Sequence, residues 1–485
     1  MKKLDDLQPN SIWKNFANIC EIPRPSGKEK QIADYIEDFG HKLGLDTKLD
    51  HTGNVLIRKP AGKGYENKKT VVLQAHLDMV PQKNSDKAHD FEKDPIVPVI
   101  DGEWVTADGT TLGADNGMGV AAAMSILQSQ ELEHGPLEVL FTVDEETGMT
   151  GALGLANDLI QGDIMLNLDS EQAGELYIGC AGGVNFTAES NIRTHEIKEA
   201  VKSFQIHVKG LKGGHSGMDI ILERGNANQV MARFIWEAMQ EFNICLSELE
   251  GGDLRNAIPR EAFALISVPQ AEENEFRSFV TGFENKIKNE LATTDPGFAI
   301  AIADHDTPQK CYDSKDLHRF ISSVYACPNG VIRLSPDMPE IPETSTNLAV
   351  VRLTEEQAEI LCLLRSSVDT AKENLANRMK ALFELANMKV TLSGAYPGWQ
   401  PDMNSPILKV MRDVYKNQDG KDPELKVIHA GLECGVIGGA YPYLDMISFG
   451  PTIKFPHSPD EKVHIPSVER FWNVLTATLK GIPEK

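Results

Sequence analysis

The amino-acid sequence predicts an α/β domain with helices on both faces of a mixed sheet, interrupted by an inserted α+β domain. The chain has 485 residues, which is too long for one ordinary core, so two domains are expected. Helix and strand patterns alternate over residues 1–186, change character over 187–395 and return over 396–485. We therefore predict that the first and last ranges form one domain and that the middle range is inserted into it.

The first range has the alternating order of a layered α/β sheet. Its patterns predict helices over 28–44 and 117–130, and strands over 70–78, 136–146 and 163–171. Strands that alternate with helices in this way are typical of a sheet covered by helices.

The middle range has a different texture. Alternating apolar and polar residues predict strands within 202–217, 256–269 and 347–367, and an amphipathic pattern predicts a helix over 274–291. After this range, residues 444–467 predict a final strand and loop that belong to the α/β domain again.

The balance of charge argues against two classes of partner. Lys and Arg number 48 against 71 Asp and Glu, which gives a net charge of −23. Nucleic acids and anionic membranes bind clustered positive charge, so neither is an expected partner.

The N-terminal and cysteine patterns indicate a cytoplasmic protein. Residues 1–16 contain no apolar segment of the secretory type, and no stretch is long enough to span a bilayer. The seven cysteines are scattered, odd in number and form no Cys-x-x-Cys motif, which is typical of reduced thiols in the cytosol.

His76 and Asp78 lie at the end of the predicted strand over 70–78. Because they are two positions apart in a strand, their side chains point to the same side. Alone, such a pair is most often only a hydrogen bond, so other residues must decide whether it has a chemical role.

Further imidazole and carboxylate groups occupy similar positions along the chain. They lie in a glycine-rich loop that opens a helix, at the ends of two strands, and at the end of the last strand: Asp115, Glu145, Glu146, Asp169 and His457. Ligands of open α/β sheets bind beyond the carboxyl ends of the strands. Imidazoles together with carboxylates suit zinc and related divalent ions, so the combination predicts a metal site at that edge.

Each residue alone has an ordinary interpretation, and other chemistries fail on spacing. Asp115 could cap the following helix, and His457 could be a surface loop residue. The sequence has no phosphate-binding G-x-x-x-x-G-K-[ST], no G-x-G-x-x-G after a strand and no H-E-x-x-H. The segment "GGHSG" is not a nucleophile elbow, G-x-S-x-G. In the elbow the second glycine lies two residues after the serine, whereas here a glycine directly follows Ser216.

Longer motifs make a family resemblance visible from end to end of the chain. They are "LQAHLDMVPQ", "TLGADNGMG", "DEETGMTGA", "NLDSE", "LKGGHSG", "LRNAIPREAFA", "GAYPGWQPD", "HAGLECG" and "GPTIKFPHSPDEKVH". In this order they resemble the bacterial aminoacyl-histidine dipeptidases, which belong to the co-catalytic zinc peptidase superfamily with the aminoacylases and carnosinases. The resemblance implies a zinc-peptidase catalytic domain and an inserted lid domain.

The resemblance also implies a dinuclear site with two Zn²⁺ per chain, in which Co²⁺ or Mn²⁺ can substitute. His76 and Asp169 would hold one ion and Glu146 and His457 the other, and Asp115 would bridge both. The same family loop implies a cis peptide bond after Asp115.

Two carboxylates would act without binding the ions directly. Asp78 would orient His76 through its other ring nitrogen. Glu145 would be the general base that takes a proton from a water activated between the two zinc ions.

The remaining assignments concern the substrate. His215 of the lid would stabilise the tetrahedral oxyanion, Asn256 and Arg365 would contact the substrate carboxylate, and Glu433 would meet the free amine. For His215, a hydrogen-bonded histidine at a strand end is the alternative; for Arg365, it is an ordinary salt bridge. The inserted range is longer than one ferredoxin-like unit, which suggests a doubled lid, so His215 could act within its own chain or across a homodimer.

The predicted function is metal-dependent hydrolysis of unblocked L-dipeptides, with Xaa-His substrates implied by resemblance alone. Two alternatives stay open. One is a zinc aminoacylase or deacylase acting on N-acyl amino acids, and the other is a peptide- or metal-binding relative without turnover. Glu145 argues against the second, because a protein that only binds needs no base beside its ligands.

Overall fold

The computed structural model describes residues 3–354 and 357–485. The chain divides into two compact units. The first unit comprises Met1–Gly179, Trp399–Val427 and Leu432–Lys485, and the second comprises Cys180–Gly398 and Ile428–Gly431. The sequence placed the two boundaries after residues 186 and 395, and it did not separate Ile428–Gly431 from its surroundings.

Helices and strands are numbered along the whole chain. Because the first unit contains both ends of the chain, its elements carry the lowest and the highest numbers. Its helices are α1 Asn10–Cys20, α2 Lys30–Lys42, α3 Ala114–Gln128, α4 Thr150–Leu153, α9 Pro406–Asp419, α10 Glu433–Ala440 and α11 Ile465–Gly481. Its strands are β1 Asp46–Leu49, β2 Val55–Lys59, β3 Val71–His76, β4 Pro98–Asp101, β5 Trp104–Ala107, β6 Leu137–Thr142, β7 Ile164–Asn167, β8 Glu175–Cys180, β22 Glu424–Ile428, β23 Asp445–Ser448, β24 Ile453–Lys454 and β25 Lys462–His464.

The main sheet of the first unit is mixed, as predicted. Its eight strands have the order β1-β2-β6-β3-β7-β23-β8-β22. Strand β3 pairs in parallel with β6 and β7, and β7 pairs in parallel with β23, whereas β2 pairs with β6 in the antiparallel sense. The carboxyl ends of the four parallel strands therefore meet at one edge of the sheet.

The parallel strands are covered on both faces. Every residue of β3, β6 and β7 is buried. Because successive side chains in a strand point to opposite faces, complete burial requires cover on each side. Helix α3 packs against β3 and α1, and α9 packs against β23 and α11.

The described residues of the second unit form four α-helices and the remaining strands. The helices are α5 Ala227–Glu241, α6 Glu273–Glu290, α7 Ser314–Ala326 and α8 Asp369–Leu385. The strands are β9 Gly182–Asn191, β10 Thr194–Glu196, β11 Val201–Lys209, β12 Gly214–His215, β13 Cys245–Gly251, β14 Ala257–Ile258, β15 Ala262–Pro269, β16 Ala299–His305, β17 Lys310–Tyr312, β18 Gly330–Leu334, β19 Pro342–Leu353, β20 Gln357–Ser366 and β21 Lys389–Tyr396.

One large sheet organises the second unit. Eight of its nine strands run in the order β16-β11-β15-β13-β19-β20-β9-β21, and the ninth, β18, pairs with β19. A buried aromatic cluster that includes Phe204, Phe234, Phe276 and Phe283 lies in its core. Strands β12 and β14, which carry or adjoin the predicted site residues His215 and Asn256, form a separate antiparallel pair. Among the described residues, no helix combines the length and apolar composition needed to cross a membrane.

Candidate metal centre

The predicted metal ligands converge at the carboxyl edge of the parallel strands. His76 ends β3, Glu146 lies four residues after β6, and Asp169 lies two residues after β7. Asp115 comes from the start of α3, and His457 comes from the loop between β24 and β25. Potential ligand atoms lie within 4.8 Å of one another in the group His76–Asp115–Asp169 and in the group Asp115–Glu146–His457.

Asp115 is the residue shared by these two groups. Its Oδ1 lies 3.2 Å from His76 Nε2, and its Oδ2 lies 3.3 Å from His457 Nε2. His76 Nε2 is also 3.2 Å from Asp169 Oδ1, and His457 Nε2 is 3.1 Å from Glu146 Oε2. One carboxylate thus has an oxygen in each of two clusters that each contain one imidazole and one further carboxylate.

The start of α3 is irregular around Asp115. Asp115 and Asn116 have non-helical dihedral angles, and the peptide bond between them is cis, as predicted. The side-chain amide of Asn116 donates to the carbonyl of Leu168 at 3.1 Å and also to Asp169 Oδ1. Asn116, which the sequence analysis did not select, therefore connects the loop of one predicted ligand to the side chain of another.

Asp78 contacts both His76 and the backbone of the two adjacent glutamates. Its Oδ1 lies 3.3 Å from His76 Nδ1, the ring nitrogen through which Asp78 is predicted to orient His76. It also accepts hydrogen bonds from Ser26 Oγ at 2.8 Å and from the backbone N–H groups of Glu145 and Glu146 at 3.0 and 3.2 Å. Burial raises the pKa of Asp78, but these hydrogen bonds and the charge of His76 outweigh it and lower the pKa to about 2.

The two adjacent glutamates follow a residue in a left-handed conformation. Asp144 has φ 58° and accepts hydrogen bonds from the hydroxyls of Thr147 and Thr150. Left-handed residues other than glycine are uncommon and concentrate at functional sites. Burial raises the pKa of Glu145 well above its ordinary value, and the nearby carboxylates add to this shift while His76 opposes it.

The donor set fits divalent metal ions. Glu146 Oε1 is buried and has no hydrogen-bond partner among the described residues, although an unpaired buried carboxylate oxygen is costly. Hydrogen bonds that His457 donates to the carboxylates of Asp115 and Glu146 raise its pKa to about 11, and burial raises the pKa of Asp169. Several carboxylates held this close together need positive charge near them, which metal ions provide.

Two further glutamates lie close to this cluster. Burial raises the pKa of Glu171 to about 8, and the charges of Asp115 and Asp169 add to the effect. Glu171 lies two residues after Asp169 in the motif "NLDSE" but is not among the predicted site residues. Glu433 is fully buried at the start of α10, and burial raises its pKa to about 7.

The contacts of Glu433 connect it to the strands that carry the metal ligands. Its Oε2 accepts hydrogen bonds from Gln74 Nε2 at 2.6 Å and from Thr142 Oγ1 at 2.7 Å. Its Oε1 has no partner among the described residues. One oxygen thus fixes the side chain, and the other keeps its capacity to accept a hydrogen bond.

The other predicted site residues lie in the second unit. Strand β12 pairs His215 with Ala257 of β14, next to the exposed Asn256. His215 Nδ1 accepts hydrogen bonds from the backbone N–H groups of Gly217 and Met218 at 3.2 and 3.1 Å. The ring proton of neutral His215 must therefore be on Nε2, which makes Nε2–H a hydrogen-bond donor.

Arg365 is buried, and none of the described carboxylates pairs with it. Its side chain is on β20, and its residue is only 5% exposed. Nη1 donates to the hydroxyl of Tyr396 at 3.2 Å, and Nε has no hydrogen-bond partner in the described part of the chain. Within residues 3–354 and 357–485, no carboxylate forms an ion pair with this guanidinium, so the alternative of an ordinary salt bridge finds no support there.

His429 lies near Arg365 and is not among the site residues that the sequence predicts. Its imidazole is buried, and Nε2 lies 2.7 Å from Ser345 Oγ. Burial lowers its pKa to about 3, and the positive charge of Arg365 contributes. It is the first residue of the motif "HAGLECG", from which only Glu433 was predicted to be a site residue.

Comparisons with known proteins connect the chain to a peptidase family. Residues 72–481 match the family described as peptidase family M20/M25/M40. The cytosol non-specific dipeptidase of Escherichia coli strain K12 is 48% identical over 485 residues, which covers 100% of each chain.

Solved structures extend the comparison. The crystal structure of aminoacylhistidine dipeptidase from Vibrio alginolyticus has 48% identity and a TM-score of 0.96, and the match covers 100% of this chain and 99% of that one. An aminopeptidase from Bacillus cereus ATCC 10987, at 16% identity and a TM-score of 0.57 over 98% of this chain and 99% of that one, shares the fold. The present chain belongs to peptidase family M20/M25/M40.

Proposed function

We propose that this protein is a cytoplasmic, metal-dependent dipeptidase that hydrolyses unblocked L-dipeptides, including Xaa-His dipeptides. The observation that carries the proposal is the position of Asp115, whose two oxygens face two separate imidazole–carboxylate pairs. The names of the two full-length relatives at 48% identity, a cytosol non-specific dipeptidase and an aminoacylhistidine dipeptidase, support the substrate class and the compartment.

Five side chains would hold the metal. We assign His76 and Asp169 to one zinc ion, Glu146 and His457 to a second, and Asp115 to both. Zinc ions held there would supply Lewis acidity, which acidifies water and polarises the scissile carbonyl. Co²⁺ and Mn²⁺ suit the same nitrogen and oxygen donors.

Glu145 is the proposed general base. It is adjacent to the metal ligand Glu146, but its side chain leaves the backbone in a different direction. Asp78 accepts hydrogen bonds from the backbone N–H groups of both glutamates, which fixes the position of the backbone from which the Glu145 side chain extends. From this position it accepts the proton that the attacking water gives up.

The proposed contacts with the substrate require donors for its negative charge and an acceptor for its amine. His215 donates from Nε2–H to the oxyanion of the tetrahedral intermediate. Arg365, which pairs with no described carboxylate of this chain, and Asn256 bind the terminal carboxylate. The unpartnered Oε1 of Glu433 accepts a hydrogen bond from the free ammonium group. An N-acyl substrate lacks that group, which favours a dipeptidase over a deacylase.

Three substrates and a chelator test the proposal. The protein is incubated with Gly-His, N-acetyl-His and a tripeptide, with and without EDTA, and released amino acids are measured. We expect hydrolysis of Gly-His that EDTA abolishes and Zn²⁺ restores, with little release from the other two. Preferred cleavage of N-acetyl-His would instead identify a deacylase, and binding of Gly-His without turnover would identify a non-catalytic relative.

A further inference from the structure

Glu461 forms an unusual set of hydrogen bonds just outside the proposed metal ligands. It lies four residues after His457 and immediately before β25, and it is only 2% exposed. Oε2 accepts from the backbone N–H groups of Leu112 and Gly113 at 2.8 and 2.9 Å. Oε1 accepts from those of Ala114 and Asp115 at 2.8 and 3.2 Å. A single carboxylate thus binds four consecutive amides.

These four amides belong to the loop that carries the shared ligand. N–H groups at the start of a helix have no partner within the helix, and consecutive amides that point inward form a concave anion-binding surface. An ionised carboxylate only accepts, and it has about four lone-pair positions for the four donors. A glutamine in the same place would turn its NH₂ group toward two of those N–H groups.

Arg24 binds a carbonyl group of the same loop. This buried arginine donates from Nη1 to the carbonyls of Leu77 and Asp78, both at 2.9 Å, and from Nη2 to the carbonyl of Gly113. It therefore joins the end of β3 to the loop. Gly113 has φ 70°, and a Cβ atom there would lie 2.5 Å from Arg24 Nη2, so the contact requires glycine.

We propose that Glu461 is a positioning residue: it fixes the loop Leu112–Asp115 so that Asp115 presents one oxygen to each of the two metal ions. The proposal rests on the proposed function insofar as Asp115 is the bridging ligand. Its distinctive consequence is that loss of the carboxylate weakens both ions together. Loss of an ordinary ligand such as Glu146 should weaken only one.

The test measures metal binding apart from catalysis. Metal-free protein is titrated with Co²⁺, and the visible d–d absorption of the bound ion is followed for wild type, Glu461→Gln and Glu461→Asp. For Glu461→Gln we expect both binding steps to weaken by roughly 10–100-fold, the usual effect of losing a partner that orients a ligand. Glu461→Asp keeps the charge but is one methylene shorter, so its affinity should lie between the two.

A matched control and a second readout separate positioning from general stability. Glu469→Gln removes the same charge from an exposed glutamate on α11 and should bind Co²⁺ like wild type. At saturating Co²⁺, Glu461→Gln should recover much of the wild-type kcat for Gly-His with little change in KM, because the substrate contacts are intact.

Two results would overturn the proposal. One is wild-type Co²⁺ affinity and spectrum in folded Glu461→Gln; the other is weakening of one binding step only. If Glu461→Gln does not fold, the same criteria apply to Glu461→Asp. If wild type binds two Co²⁺ ions but does not cleave Gly-His, the proposed function fails while the titration still decides the role of Glu461.

Discussion

The candidate site residues of the two units differ in their charge and in whether they donate or accept hydrogen bonds. In the first unit, Asp115, Glu146 and Asp169 gather hydrogen-bond acceptors and negative charge around two imidazoles. In the second unit, no described carboxylate pairs with the buried guanidinium of Arg365, and the hydrogen bonds that His215 Nδ1 accepts leave Nε2–H as the donor of the ring. The first set can bind cations, and the second can bind an anion.

The difference predicts that variants of the second unit change turnover without changing metal content. His215→Ala should lower kcat by roughly 10²–10³-fold, the usual cost of one oxyanion donor, and should change KM far less. Zinc per chain, measured by atomic absorption, should equal that of wild type. His207→Ala, which removes a histidine paired with an exposed glutamate on the same unit, is the control. Wild-type turnover in His215→Ala would leave that residue a hydrogen-bonded strand-end histidine.

A smaller effect is expected at the buried cation. Arg365→Lys keeps the charge but loses the forked geometry that matches a carboxylate, so kcat/KM for Gly-His should fall by about 10–100-fold. The C-terminal amide of Gly-His has no carboxylate, so wild type and variant should hydrolyse it at similar rates. Equal losses on both substrates would show that Arg365 supports the fold and does not bind the carboxylate.

The smallest effect concerns the neutral histidine beside that cation. The pKa of His429 is lowered to about 3 in the folded protein, whereas an unperturbed histidine has a pKa of about 6.5. Between these values the unfolded chain binds the extra proton, so stability falls as the pH falls from about 6.5 toward 3. The slope from this group is at most about 1.4 kcal/mol per pH unit.

The variant His429→Gln isolates that contribution. Glutamine does not titrate and can still bond to Ser345, so the loss of stability on acidification should be shallower than in wild type. Thermal unfolding of both proteins from pH 7 to pH 5 measures the difference. Identical pH dependences would show that His429 is not held neutral by its surroundings.

The sequence predicted which side chains converge at this edge, because its signals are local. Residues at the carboxyl ends of parallel strands share one edge of a sheet, so chelating residue types at those positions predict their own convergence. Long-range contacts gave no such signal. The hydrogen bonds of Glu461 join residues separated by 346 to 349 positions, and nothing in "HSPDEKVH" states that four distant amides will meet that side chain.

Backbone conformation limited the prediction elsewhere. The predicted strand over 202–217 ends at Lys209, because Gly210 adopts φ 78°, and a short strand with His215 follows. A Cβ atom on Gly210 would meet the carbonyl oxygen of Gly297 at 1.9 Å, a close approach that depends on tertiary structure. The role of His429 was hidden for the same reason, since its neighbours Ser345 and Arg365 are distant in sequence.

The most direct test of the account compares the two adjacent glutamates. Zinc per chain and Gly-His turnover are measured for Glu145→Gln and Glu146→Gln. Glu145→Gln should keep both ions, lose roughly 10²–10⁴-fold in kcat and gain nothing from added zinc, because it loses a proton acceptor and no ligand. Glu146→Gln should lose one ion and regain some activity in excess zinc. A metal-deficient Glu145→Gln beside a fully loaded Glu146→Gln would contradict the account.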